Sequence, residues 1–394
     1  MLSRTHVLAA LQSKQHLFAT YQRRTQESYT SYKEALTQLA KKSHKELDQL
    51  LIPFSKPGAR PTCERSPGRS IILPFQARWQ NHRQAREWAK AILEGTITIA
   101  VDGSQITPDP SFSIPVGAIQ VGWFVNPHTS ERRYIKDILF EILGPSELAM
   151  DTDEGIFPDL QVNLRRFEQE CALLRKHLQQ VAQESPSPLC FFDGSLIASF
   201  AAHLAPELRQ RYLRAVISLL DASEQYHVPL VGYIDFSRAS DLLSMLQHLW
   251  NVEQSPHLSD ATLLQPLMKW GDRTEAFVCA RDDRTFDGLE SSDYYYERVI
   301  FLYLKTTSSN PPVRLDIPRW VLEEGLLDQV INLVRAECIV GVGYPYALET
   351  ADALAVLTAQ DREQFYRIFQ KFVAQMGIEL RYSRKAYSKR GRRQ

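Results

Sequence analysis

Two stretches of this chain close on the same triplet. TIAVDGSQI (98–106) and PLCFFDGSLI (188–197) each run from apolar, strand-forming residues into Asp-Gly-Ser. An Asp placed there, Asp102 or Asp193, stands at the rim of a sheet. The Gly after it lets backbone or ligand come close, because it carries no Cβ. Carboxylates gathered at strand ends, with no His or Cys cluster beside them, select hard cations such as Mg²⁺ or Mn²⁺. Two such ions ~3.5–4 Å apart are a device for hydrolysing phosphodiesters. The device needs a third acid, and Glu170 is the first choice. It lies on an amphipathic helical stretch, three residues after Phe167 and four before Leu174, so it borders the buried face. Glu168 is its rival, and Glu147, in PSELAM, a weaker one. Each feature has an ordinary reading too. A lone Asp-Gly-Ser makes an Asx turn, and a single Glu on a helix is a solvated residue. The combination is what points to a site.

Other catalytic templates are missing. The sequence holds no GxxxxGK[ST], GxSxG, HExxH or GxGxxG. DTDEG (151–155) lacks the ligand spacing of a calcium loop and reads as an acidic surface loop. The histidines form no ligand-like cluster, and His203, on the helix after DGSL, reads as structural.

The elements that must position these acids follow from periodicity. Residues 1–52 are rich in Leu, Ala, Gln, Lys and Glu, with no Gly or Pro, and predict a helical arm used for packing or dimerisation. Residues 53–75, with their cluster of Pro and Gly, predict a linker. A short helix over 76–94 leads into the Asp102 strand. An antiparallel hairpin follows (VGAIQVGWFVNPH with ERRYIKDILFEIL), then the Glu170 helix, the Asp193 strand, a helix over 206–226 and the strand VPLVGYIDF. Antiparallel strands ahead of the crossovers predict an α/β fold with a mixed sheet rather than a doubly wound parallel one. The remainder predicts an α+β extension: a hairpin of AFVCARDDRTFDGL with YYYERVIFLYLK, a PPVRLDIP loop, a helix over 321–336, and one or two later helices. The main domain then spans 76–380.

Composition excludes several classes. The chain has 394 residues and balanced charge, 46 basic against 46 acidic, so net charge names no partner. The last fourteen residues, 381–394, hold seven Lys or Arg and no acid. Lys385, Lys389 and Arg390 in that tail are candidate phosphate contacts. Five scattered cysteines without a CxxC pair fit neither a zinc site nor a disulfide framework, and suit a reducing cytoplasm. No apolar run reaches the ~18 residues of a membrane span, and the first residues lack the apolar core of a secretory signal.

AVDGSQI, the RRFEQE helix, FFDGSL, VGYIDFSR and GYPYALETADAL, in this order over roughly 95–375, resemble the NurA family of nucleases. The resemblance implies an RNase H-like core and Mn²⁺-dependent (or Mg²⁺-dependent) cleavage of DNA ends in double-strand break repair. It also implies a homodimer and a HerA-type hexameric ATPase as partner. It assigns metal binding to Asp102, Glu170 and Asp193, and a catalytic role to Tyr344. The family pattern has a histidine eight residues after that tyrosine, where this chain has Asp352, an oxygen donor in place of an imidazole. The family's lysine after the third core strand is also missing, and Arg238, just beyond, is the candidate to take over its phosphate contact. The carboxylate set is intact while its surroundings are altered. The alternative is therefore a weak or inactive NurA-like adaptor that docks onto a ring ATPase or DNA. A phosphoesterase acting on other substrates fits the chemistry without motif support.

Overall fold

The computed structural model describes residues 2–131, 133–149, 158–288 and 294–381. The chain divides into two compact units, Met1–Trp79 with Tyr233–Glu323, and Gln80–Gly232 with Glu324–Gln394.

The first unit opens with α1 (Arg4–Ser13), α2 (Gln15–Lys41) and α3 (His44–Leu51). The arm expected over 1–52 is thus helical but broken at Lys14 and again before His44, where Ser43 and Glu46 form a capping box. Only the second half of α2 is buried, through Tyr32, Ala35, Leu36 and Leu39. The stretch expected as a linker holds two short strands, β1 (Gly58–Pro61) and β2 (Ile72–Leu73). Pro61 stands at the end of β1, where a missing N–H costs little.

The second unit then runs α4 (His82–Leu93), β3 (Thr98–Ile106), β4 (Gly117–Asn126), β5 (Ile135–Leu143), α5 (Pro145–Leu148), α6 (Pro158–Gln180), β6 (Leu189–Asp193), α7 (Pro206–Tyr226) and β7 (Leu230–Ile234), in which the chain leaves it. The strands lie in the order β5-β4-β3-β6-β7. β3, β4 and β5 form an antiparallel meander, and β6 joins β3 in parallel. That is the mixed α/β arrangement expected from a hairpin preceding the crossovers. Alternation along the strands sorts the two faces. Trp123 meets His177 of α6 on one, while Gln120 donates to the Leu354 and Ala355 carbonyls on the other.

Back in the first unit come α8 (Asp241–Trp250), α9 (Asp260–Leu264), β8 (Arg273–Thr274), β9 (Phe277–Ala280), β10 (Val299–Leu304), β11 (Val313–Pro318) and α10 (Arg319–Glu323). β9 and β10 pair antiparallel, as the hairpin pattern predicts, and β1 extends them on the β9 side. PPVRLDIP is not the loop its prolines predicted. Its core is β11, paired residue for residue with β10. The prolines fall at the strand's edges, and the polar alternates Arg314 and Asp316 are buried because they pair with each other and Arg314 pairs with Asp241. The second unit closes with α11 (Leu327–Val340), α12 (Tyr346–Ala355) and α13 (Ala359–Gln375). The single helix expected over 321–336 is split, with Gly325 at φ 73° between α10 and α11.

Candidate active site

Parallel pairing of β3 with β6 stops at Val101 opposite Phe192, so Asp193, the last residue of β6, and Asp102 follow side by side. Asp102 is not the strand end its sequence predicted, because β3 runs on against β4 to Ile106. Asp102 is pushed up to about 7, first by burial and then by the charges of Asp193 and Asp352, against the pull of the Gly103 N–H and Arg166. Three acids thus share one field at the rim of the sheet.

The fourth, Glu170, reaches this field from α6. Leu164, Phe167, Cys171, Leu174 and Leu178 bury one stripe of that helix, and Glu170 lies in the same stripe, only 5% exposed. It fits because of Gly103. A Cβ there would stand 2.3 Å from Glu170 Oε1 and 2.8 Å from Arg166 Cγ. Arg166, one turn earlier, donates to Glu170 Oε1 and to the Gly103 carbonyl, the latter at 3.2 Å. Its buried Nε has no hydrogen-bond partner. Even with that cation beside it, burial outweighs the attraction, and Glu170 is pushed up to about 7, with Asp102 and Asp193 adding to the rise. Glu168 goes elsewhere: Arg211 of α7 grips it with two bonds of 2.8 and 2.7 Å. Glu147 accepts the Gly144 N–H at 2.8 Å and caps its own short helix.

The C-terminal elements close over the other side. α11 ends in the turn GVGYP, where Val342 sits at φ 56° and Gly343 at φ 112°. A β-branched residue in the left-handed region is strained backbone, the kind held only when its surroundings insist on it. The turn brings the Tyr344 hydroxyl within 3.2 Å of Asp193 Oδ1. α12 then lies on β4 at Gly122, the register partner of Asp102. A Cβ on Gly122 would meet Leu354 Cβ at 2.8 Å and the Ala351 carbonyl at 3.0 Å. This close seat carries exposed Asp352 into the field of Asp102. The helix is anchored by Glu337, fully buried, whose carboxylate accepts the Ala347 N–H at 2.9 Å and the Thr98 hydroxyl at 2.8 Å. His128 Nε2 lies 3.1 Å from the same carboxylate.

The two Asp-Gly-Ser triplets therefore differ in what their small residues do. Gly103 makes room for Glu170, and Ser104 Oγ accepts the Leu357 N–H after α12, at 3.3 Å. Gly194 turns the chain at φ 132°, and Ser195 Oγ accepts the Ile197 N–H at 2.9 Å.

Arg238 is exposed in the loop before α8 and belongs to the first unit. His203 is exposed at the end of a 3₁₀ turn, Ser199–His203. Lys385, Lys389 and Arg390, and the DTDEG stretch, lie outside the described residues. Two participants are not among the expected site residues, Arg166 and Glu337. Arg166 stands in the quoted RRFEQE motif, one turn before Glu170. Glu337 leaves a plainer trace, an acid within the apolar stripe Val330, Val334, Cys338.

As the side chains lie, no three His, Cys, Asp or Glu among the described residues are grouped to hold an ion. The donor chemistry nevertheless fits a hard divalent cation. The cluster is all oxygen, Asp193 and Asp352 raise Asp102 while Asp102 and Asp193 raise Glu170, and the cation paired with Glu170 is the half-buried Arg166 guanidinium.

Comparison with known proteins places this arrangement. The NurA domain family model matches residues 96–357, from just before β3 to just after α12. Among solved structures, a crystal structure of NurA with manganese is similar at a TM-score of 0.42 and 10% identity, over 71% of this chain and 89% of that one. Among curated proteins no sequence matches. The family match covers more than half of the residues and every acid of the site, and the chain belongs to the NurA family of nucleases.

Proposed function

We propose that this chain is a metal-dependent deoxyribonuclease that hydrolyses phosphodiester bonds at DNA ends during double-strand break repair, as a homodimer working with a HerA-type ATPase. The observation that carries the reading is the convergence of Asp102, Asp193, Asp352 and Glu170, in which burial first, and then the charges of Asp193 and Asp352 on Asp102 and of Asp102 and Asp193 on Glu170, push Asp102 and Glu170 up to about 7. Clustered acids repel one another unless a cation joins them.

Asp102, Glu170 and Asp193 are the residues that would hold Mn²⁺ or Mg²⁺. Bound there, the ion supplies Lewis-acid polarisation of the phosphoryl group and lowers the pKa of water. Tyr344 donates to Asp193 and fixes the orientation of that carboxylate at the exposed rim. Asp352 stands where the family pattern has a histidine. As a carboxylate it accepts a proton but supplies no positive charge to a phosphate. Arg166 holds Glu170 in place and brings a cation beside the carboxylates for an anionic substrate.

Asp352 also supports a second reading, a NurA-like adaptor of weak or no activity that docks onto a ring ATPase or DNA. Thermal unfolding with Mn²⁺ separates the two. Stabilisation by Mn²⁺ that disappears in Asp102→Ala is expected of the nuclease. Equal unfolding temperatures with Mn²⁺ and with EDTA would favour the adaptor.

A further inference from the structure

Away from the carboxylates, α6 and α7 leave a groove between them on the outside of the second unit. Two adjoining cavities of about 390 and 500 Å³ form it, sharing Ala172, Arg175 and Ser218. Its walls carry Arg175 and Lys176 from α6 and Arg211 and Arg214 from α7, and its acids are Glu168 and Asp221. Glu168 is already neutralised by Arg211. Arg175, Lys176 and Arg214 are exposed and make no side-chain ion pair among the described residues. Three uncommitted cations along one groove, with small Ala172, Ala215 and Ser218 between them, leave room for a chain of anions rather than for one buried ligand.

We propose that this groove binds the phosphodiester backbone of one nucleic-acid strand. The inference rests on the nuclease reading and adds a contact surface to it. The groove runs in parallel along both helices, from Glu168 and Arg211 to Gln179 and Gln225. Eleven residues of helix span about 16 Å at ~1.5 Å each. That is the length of roughly five phosphates at ~3.4 Å per residue of one duplex strand. The groove and Glu170 share α6 and lie in the same unit. Tyr226 lines the far end and offers a ring for base stacking.

The test is fluorescence anisotropy of a labelled oligonucleotide in EDTA, so that nothing is cut, across a salt series. The wild type is compared with Arg175→Gln/Lys176→Gln/Arg214→Gln and with the Glu triple at the same sites. Unfolding temperature and Mn²⁺ stabilisation of each variant serve as controls for folding and for the carboxylate site. The proposal expects affinity to fall at least tenfold in the Gln triple. The slope of log K against log salt should shrink by about 2, at ~0.7 per phosphate contact for a single strand. Unchanged affinity and slope in both folded triples would overturn the groove while leaving the nuclease reading intact. A wild type that neither binds DNA nor cuts it with Mn²⁺ would remove the nuclease reading and the groove with it. Tighter binding of polyglutamate than of the oligonucleotide, lost in the triples, would assign the groove to an acidic protein and likewise overturn the proposal.

Discussion

Gly122 stands directly across the β3–β4 ladder from Asp102, and its missing side chain is what seats α12 against the strand. The acid and the helix that modulates it are thus set by one register pair. Gly122→Val should force α12 outward, at about 1–3 kcal/mol for overpacking a close contact. Chemical denaturation reads this directly. A variant as stable as the wild type would mean that α12 is not held by this contact.

Arg166 has the opposite task, since it sets a cation against Glu170. In Arg166→Gln, Glu170 should rise further, because the strongest influence lowering its pKa is gone. A buried carboxyl left without its partner costs about 1–3 kcal/mol. Arg166→Gln/Glu170→Gln should recover most of that loss. A double-mutant cycle checks it, and strictly additive losses would show that the pair is not coupled.

The pH dependence has a definite sign. Asp102 and Glu170 have folded pKa values of about 7, raised above those of unfolded carboxyls. Without metal, the folded state keeps protons that the unfolded state has released. Their contribution to stability is therefore fully present below about pH 4 and is lost as pH rises through about 7. A cation needs both groups ionised, so stabilisation by Mn²⁺ should grow across the same upper limit. Asp352→Asn removes one charge that raises Asp102 and should move that growth to lower pH. Unfolding temperatures with Mn²⁺ and with EDTA, from pH 5.5 to 8.5, carry the test, and a pH-independent metal effect would refute the coupling.

Tyr344 is a milder case. Its hydroxyl bond to Asp193 spans 3.2 Å at an exposed rim. Tyr344→Phe should leave stability within about 0.5 kcal/mol of the wild type, while cleavage slows about tenfold, or ~1.4 kcal/mol of barrier. Unfolding and rate measured on one preparation separate these effects. A large loss of stability with no change in rate would make Tyr344 a packing residue instead.

What could be read in advance followed locality. Asp102 and Asp193 each close a short apolar run, so both strands were visible within about nine residues of sequence, though only Asp193 ends its strand and β3 runs on to Ile106. Glu170 was visible because helical periodicity sets it at the border of a buried stripe. Arg166 was in plain view, but its partner is fixed by the Gly103 slot on another element, which no local pattern encodes. β11 was hidden by its flanking prolines and by Arg314 and Asp316, whose burial makes sense only once Asp241 of α8 is beside them. Asp241 is correspondingly held down to about 2 by Arg281 and Arg314, which outweigh its burial. The linker expected over 53–75 became β1 and β2 for a similar reason, since their partners β9 and β8 lie some two hundred residues away.

The most direct test of the central claim is cleavage of end-labelled linear single- and double-stranded DNA by the purified protein, with Mn²⁺, Mg²⁺ or EDTA, beside Asp193→Ala. The account predicts cutting that needs the divalent ion and disappears in the variant, with Asp352 standing in the histidine's place. No cutting by the wild type under any ion, even with a HerA-type ATPase added, would contradict it.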